Sequence, residues 1–200
     1  QTSEFPDWAW ADFQRPEGIN PIVSPDTTTV FYCPMRQDSV AWESSDTFNP
    51  AATIYDGKVV VLYRAEDNSA VGIGSRTSRL GYAYSDDGLH FNRMTVPVFY
   101  PADDNQKELE WPGGCEDPRV AVTDDGLYVM LYTQWNRKQA RLAVATSRDL
   151  QIWEKYGPAF AKAYGGRFFD EFSKSASIVT KFVDGKQVIA KIVGKYWMYW

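Results

Sequence analysis

Two adjacent carboxylic acids, Glu116 and Asp117, stand directly before a proline and an arginine in GGCEDPRVAVTDDGLYVMLYTQWN, residues 113–136. Such a group is either an acidic turn or the acid half of a catalytic site. Other polar residues gather in comparable places. Asn49 precedes Pro50 in SDTFNPAAT, Arg64, Glu66 and Asp67 close LYRAED, and Lys174 sits among small residues in EFSKSASIV. The single histidine, His90, follows a turn in SDDGLHF and has no partner histidine for a metal site or a proton shuttle. No serine lies in a GxSxG motif. VGIGSRTS (71–78) has Thr77 where the third glycine of a dinucleotide loop belongs. Any chemistry must therefore use carboxylates, arginines and lysines, and neither a metal nor an organic cofactor is expected.

The elements that would position these groups are strands. Helix signals are scarce, Asp-Gly pairs recur, and the apolar runs are short and rich in Val, Ile, Tyr and Phe. Residues 53–67, 119–136 and 188–200 each read as a hairpin, with turns at Asp56-Gly57, Asp125-Gly126 and Val193-Gly194; Asp-Gly between apolar runs is a strong hairpin signal. A second pattern follows the first two hairpins. LGYAYSDDGLHFNR (80–93) and LAVATSRDLQIWEK (142–155) both lead through Ser and Asp to an aromatic residue. The unit is thus a recurring double hairpin of four strands. Such recurrence predicts an all-β fold, a β-propeller of four-stranded blades, rather than a sandwich. Residues 1–200 read as one propeller domain covering about three blades, the N-terminal part of a longer ring.

In a propeller the starts of the innermost strands converge on the axis, so Asn49, Asp117 and Lys174 are expected to face one cavity. Strand alternation lets only one of Glu116 and Asp117 point inward, and equivalence with Asn49 nominates Asp117. By the same rule Arg119 shares the face of Asp117 and would lower its pKa, unless it turns to a substrate or a structural partner. Arg64 and Glu66 share one face, and Asp67 takes the other. A single acid-proline-arginine cluster is more often ion pairing between blades than chemistry; three polar clusters at matching repeat positions favour a pocket. Asp86, Asp87, Asp124, Asp125 and Asp184 read as turn residues, and His90 as a surface residue.

Composition closes other routes. Net charge is −5 and no Lys/Arg run exceeds two residues, so no nucleic-acid partner is expected. No apolar stretch is long enough for a membrane span. Cys33 and Cys115 read as two buried free thiols. The first residue is Gln1, which suggests a processed or a trimmed N-terminus; a periplasmic or secreted location is expected, with a cytoplasmic one as the alternative. Trp111 and Trp135 are either stacking platforms or packing residues.

DTFNPAA, LYRAED and GGCEDPRV resemble the motifs of glycoside hydrolase family 130, and the similarity runs along nearly the whole chain. The likeness is strongest to that family's β-1,2-mannosidases of gut Bacteroidetes, which are inverting hydrolases; other members are β-mannoside phosphorylases. The resemblance implies a five-bladed propeller and a β-mannoside oligosaccharide as partner. It implies that Asp117 is the general acid, acting through a mannose hydroxyl. Asn49, Arg64 and Asp67 would hold the mannose, with Glu66 and Arg119 in the substrate-contacting set. Arg141 and Lys174 match positions near phosphate in the phosphorylases, where inorganic phosphate is a co-substrate. The glutamates that serve the hydrolases are expected beyond Trp200. The expected activity is an inverting β-mannosidase. The alternatives are a phosphorylase, a furanosidase-like propeller hydrolase, and a non-catalytic sugar-binding propeller.

Overall fold

The computed structural model describes residues 15–200. In chain order its strands are β1 (Phe31–Cys33), β2 (Asp38–Val40), β3 (Asp46–Tyr55), β4 (Lys58–Glu66), β5 (Ser78–Ser85) and β6 (Asn92–Arg93). A short helix α1 (Lys107–Glu110) precedes β7 (Gly114–Val122), β8 (Tyr128–Trp135), β9 (Ala140–Ser147) and β10 (Glu154–Pro158). The last segment contains β11 (Ser177–Ile178), β12 (Thr180–Val183), β13 (Lys186–Ile189), β14 (Lys191–Ile192), β15 (Lys195–Tyr196) and β16 (Met198–Tyr199).

Strands β3 to β6 form one antiparallel four-stranded blade, and β7 to β10 form a second. One parallel bridge, Ser78 to Gly114, joins them at their inner edge. This is the architecture expected from the repeated double hairpin, and the fold is a β-propeller whose sheets do not close within this chain. Both faces of each blade are covered, which explains why VVVLY and VMLY are continuous apolar runs rather than alternating ones. Val60, Leu62 and Tyr82 pack toward Val120, Met130 and Tyr132 of the second blade. The intervening residues Val61, Tyr63 and Ala65 pack on Phe31, Cys33 and Trp42. On the far side of the second blade, Leu131 and Leu142 meet Ala176, with Ile178 and Met198 beside them. Cys33 and Cys115 are buried and free, as the sequence suggests.

The Ser/Asp turns are two copies of one device. Ser85 Oγ accepts from the amides of Asp87 and Gly88, while Asp87 Oδ1 accepts from those of Leu89 and His90. Ser147 Oγ and Asp149 Oδ1 repeat this with the amides of residues 149 to 152. These side chains replace the ladder bonds lost at the turn. His90 is exposed and its Nδ1 lies 2.7 Å from Asp87 Oδ2, an outer turn contact and nothing more.

Two expectations about turns need correction. Asp56-Gly57 has positive φ at both residues, but at Asp125-Gly126 only the glycine does. The β7–β8 connection runs from Thr123 to Leu127 and is closed by the Thr123 hydroxyl, so it is longer than a two-residue hairpin. The third repeat is also out of register with the sequence reading. Its turn equivalent to Asp56-Gly57 is Asp184-Gly185, between β12 and β13; Val193-Gly194 is a separate small turn between β14 and β15.

Gly114 holds the junction of the two blades. Its φ is +118°, and a Cβ there would lie 2.2 Å from the Ser78 carbonyl oxygen. Gly114→Ala should lower stability by about 3 kcal/mol or more through strain and backbone overlap. Gly126→Ala, in open space at φ +82°, should cost only about 1 kcal/mol. Urea denaturation midpoints of the two variants measure the contrast.

Candidate active site

The first strand of each repeat is interrupted at its start. In β3 the pairing register shifts between Phe48 and Ala51, and in β7 between Glu116 and Arg119. Asn49 has φ 45°, Asp117 φ 52° and Ser175 φ 56°. Asn and Asp are the non-glycine residues that best tolerate this region, and the proline after each lacks the N–H that the ladder would otherwise need. The chain is therefore not extended before Pro118, contrary to the usual effect of a following proline. The matching residue of the third repeat is Ser175, not Lys174, which instead aligns with Glu116 and Phe48.

A bulge sets two residues against one, and strict alternation fails there. Glu116 and Asp117 consequently point to the same place, not to opposite sides. Both meet Arg64, which rises from the middle of the neighbouring blade on β4. Arg64 Nη1 donates to Asp117 Oδ1 at 3.0 Å, and Nη2 donates to Glu116 Oε1 at 2.8 Å and Glu66 Oε1 at 2.6 Å. Its Nε donates to Ser78 Oγ at 3.0 Å, and that hydroxyl donates to Glu66 Oε1. Phe48 covers the guanidinium, its ring centre 4.6 Å from Cζ. Lys174 arrives from the third repeat and reaches Glu116 Oε2 at 2.7 Å and Asp117 Oδ2 at 3.1 Å. Asn49 Nδ2 donates to Asp117 Oδ1 at 2.8 Å. Thus Asn49, Asp117 and Lys174 do meet, together with Arg64 and Glu66, in one polar well.

The electrostatics separate the adjacent acids. Burial is the largest influence on Glu116 and raises its pKa, outweighing the attraction of Arg64 and Lys174. Burial also acts upward on Asp117, but the Asn49 hydrogen bond and the charges of Arg64 and Lys174 hold its carboxyl below the ordinary value. Lys174 is burdened by desolvation, yet its two carboxylate partners keep its pKa raised.

Arg119 is exposed, and its Nη1 donates to the Pro118 carbonyl. The bulge turns it away from Asp117, so Arg64, not Arg119, is the arginine that lowers the Asp117 pKa. Asp67 does fall on the face opposite Arg64 and Glu66, and it stays outside the well. Its Oδ2 accepts from Arg79 at 2.9 Å and its Oδ1 from the amides of Ser69 and Thr77. Arg141 also stands apart, donating to Asp170 Oδ1 at 2.7 Å and to the Phe169 carbonyl, with Phe169 against its plane. Sequence reasoning missed Ser78 and Arg76. Arg76 pairs with Asp46 and lies 3.6 Å from Glu66 Oε2. It also set Glu116 aside. Only the repeated Asn/Asp-Pro at the start of β3 and β7 hinted that alternation would break there. Among the described residues no acid, histidine and cysteine cluster is suited to a metal ion, and no helix is long and apolar enough to cross a membrane.

The cluster gathers buried acids, a guanidinium, an ammonium and an amide, the donor and acceptor types that sugar hydroxyls can meet. Known proteins agree with a sugar-processing family. The glycoside hydrolase family 130 profile, described as β-1,4-mannooligosaccharide phosphorylase, matches residues 14–200. A 1,2-β-oligomannan phosphorylase of Thermoanaerobacter sp. (strain X514) is 36% identical over 152 residues, covering 74% of this chain and 46% of that protein. A crystal structure of a presumed glycosidase from Bacteroides thetaiotaomicron VPI-5482 is 98% identical with a TM-score of 0.96, over 99% of this chain and 57% of its own. A second structure is 69% identical with a TM-score of 0.95, over 98% of this chain and 55% of its own. It was determined under the finding that the GH130 family of mannoside phosphorylases contains glycoside hydrolases that target β-1,2 mannosidic linkages in Candida mannan. The chain thus spans about half the length of the relatives it matches.

Arg64→Met should destabilise the protein by about 3–5 kcal/mol at neutral pH, because three buried carboxylates lose their common cation. The two acids should show opposite pH signatures. The stability from Asp117, whose folded pKa is lowered, is present above its unfolded value of about 3.9 and fades below it. The gap between wild type and Asp117→Asn should therefore close as pH falls below about 4. For Glu116, whose folded pKa is raised, the contribution is greatest below about pH 4.3 and is lost as pH rises through the folded value. Relative to Glu116→Gln, wild type should lose ground upward from about pH 4. Urea midpoints between acid and neutral pH measure both differences.

Proposed function

This chain belongs to glycoside hydrolase family 130, and from that premise we propose that the whole protein hydrolyses β-1,2-mannosidic linkages with inversion at the anomeric carbon. The observation that carries the reading is the polar well itself. A bulged Asp117, buried at 4% exposure, stands between Asn49 and Arg64 of the first repeat and Lys174 of the third. The exposed Asn49 offers a donor to sugar hydroxyls, Arg64 holds the acids in place from beneath, and Asp117 is the acid that can pass a proton. Inversion requires a second carboxyl about 6.5–9.5 Å from the acid, leaving room for water. Glu116 cannot fill that role, since it shares Arg64 and Lys174 with Asp117.

The resting state bears on how Asp117 would act. An acid held ionised by an amide, a guanidinium and an ammonium is a poor direct donor near neutral pH. A mannose hydroxyl placed between Asp117 and the glycosidic oxygen would relay the proton: a protonated Asp117 gives its proton to the hydroxyl oxygen as the hydroxyl passes its own to the glycosidic oxygen. Support for hydrolysis comes from the 69% identical structure and the β-1,2-mannan hydrolases named with it. Phosphorolysis is the second reading, favoured by the phosphorylase names of the curated relatives. On that reading Lys174 would have to exchange its two carboxylates, and Arg141 its Asp170, for phosphate.

The full-length protein should release α-mannose from β-1,2-mannobiose in phosphate-free buffer, read by NMR in the first minutes. Mannose 1-phosphate formed only on adding phosphate would establish the phosphorylase reading instead. Asp117→Asn should lower turnover about 10²–10⁴-fold with an unchanged circular dichroism spectrum. Near-normal turnover would remove Asp117 from the chemistry, and calorimetric binding of mannobiose without any cleavage would favour a sugar-binding propeller.

A further inference from the structure

The two blades differ at one edge. Antiparallel pairing puts the starts of β3 and β7, the β4–β5 connection and the β8–β9 connection at the same end of the propeller, the end where the polar well lies. The second connection is short, residues 136–139. The first is a long excursion through Asn68 to Thr77, and it is built rather than slack. Asp67 Oδ1 accepts from the amides of Ser69 at 3.0 Å and Thr77 at 3.3 Å, gathering both ends of the loop. Arg76 folds back to donate to the Ala70 carbonyl at 3.2 Å and pairs with Asp46 beneath. Trp135 of the second blade donates from Nε1 to the Gly74 carbonyl at 2.7 Å. Thr77 Oγ1 donates to the Pro112 carbonyl at 2.9 Å.

This anchored loop holds two branched aliphatic side chains out into water. Val71 is 95% exposed and Ile73 69%. Gly72 and Gly74, both at positive φ with open space around them, shape the tip. A second apolar pair lies where Trp135 anchors the loop at Gly74. The Trp135 ring meets Phe172 with centroids 6.5 Å apart, Phe172 is 63% exposed, and it lies two residues before Lys174 of the well. The loop's base touches the well from the other side, through Arg76 near Glu66. Exposed apolar side chains held on an anchored loop mark a contact surface. The link of Arg76 to Glu66 at one end, and of the Phe172 segment to the acids through Lys174 at the other, favours the extended ligand of that site over an unrelated partner.

We propose that the loop of residues 68–76, with Trp135 and Phe172, is a distal sugar subsite, Val71 and Ile73 covering the apolar ring face of mannosyl units beyond the pair at the cleaved bond. The inference rests on the reading of the protein as a β-mannoside-cleaving enzyme. Pyranose rings present C–H faces that stack on flat or branched apolar side chains, while their hydroxyls stay in water. The stiffness of Val and Ile at χ1 and the several anchors keep the ordering cost on binding small. Asp67 then serves the substrate indirectly, by fixing the loop, and is a positioning residue.

The test compares β-1,2-mannobiose with β-1,2-mannotetraose on the full-length protein and its Val71→Ser/Ile73→Ser variant. Both exposed positions tolerate serine without loss of core. Wild type should bind the tetraose more tightly by titration calorimetry. The double variant should lose about tenfold in tetraose affinity and raise its KM with kcat unchanged, while mannobiose shifts less than twofold. Phe172→Ala should act in the same direction. Equal losses on both lengths, or none on either, would overturn the subsite. So would sedimentation showing a wild-type dimer that the double variant disperses, since the loop surface would then be an interface between copies. Should wild type bind the tetraose better yet cleave neither sugar, the catalytic reading fails and the loop inference stands on the calorimetry.

Discussion

A single guanidinium carries the charge balance of the axial well. Arg64 is almost fully buried and so are Glu66, Glu116 and Asp117, the three acids it joins. Taking such charges out of water costs several kcal/mol each, and only close opposed charges with directed hydrogen bonds offset it. The planar fork of arginine meets this need: its three nitrogens make four hydrogen bonds, to Ser78 and to acids from two blades at once. Lysine could not span them. Lys174 adds the remaining charge from the third repeat, and because it is half-exposed it is the member of the set most open to exchange with a ligand.

That interaction sets the demands on the backbone. Arg64 on β4 can hold Glu116 and Asp117 together only if neighbouring residues on β7 point the same way, which a regular strand forbids. The bulge resolves the conflict, and it does so in the same place in the first two repeats, at Asn49 and Asp117, each followed by proline. Positive φ at a non-glycine residue before proline is strained, by about 1–3 kcal/mol. The blades on either side over-determine it: Val60, Leu62, Met130 and Tyr132 are all buried in one shared core. Local rules fail here because the well requires it, and they hold almost everywhere else.

This division explains what could be read from the sequence. The four-stranded unit was legible, because Asp-Gly turns and the paired Ser/Asp turns are local devices whose residues are sufficient to form them. The meeting of Asn49 and Asp117 was legible too, since equivalent positions in a propeller face a common axis; Lys174 joins them from one residue before the equivalent Ser175. The pairing of Glu116 with Asp117 was not, since alternation is the default for an extended segment and only long-range contacts reverse it. Arg119 was misplaced by the same step. Ser78 and Arg76 were invisible for a different reason: their neighbours in space, Arg64 and Glu66, reach them across strand pairing and a loop. The third repeat was shifted because Val193-Gly194 mimics the turn chemistry of Asp184-Gly185 closely.

The opposed shifts of Glu116 and Asp117 also constrain catalysis on the reading proposed here. A proton entering the empty well would settle more readily on Glu116, which burial has made the weaker acid, than on Asp117. A bound sugar changes that order. A hydroxyl donating to Asp117 would compete with Asn49 for Oδ1 or with Lys174 for Oδ2, while the ring excludes water and deepens the burial of both carboxyls. Losing the ammonium or the amide removes a force that holds the Asp117 pKa down, and deeper burial pushes it up. Substrate binding would thus raise the proton affinity of Asp117 as the sugar hydroxyl arrives beside it. With the Asn49 amide and the Lys174 ammonium displaced, Asp117 would take up a proton from solvent and give it to that hydroxyl as the hydroxyl's own proton goes to the glycosidic oxygen.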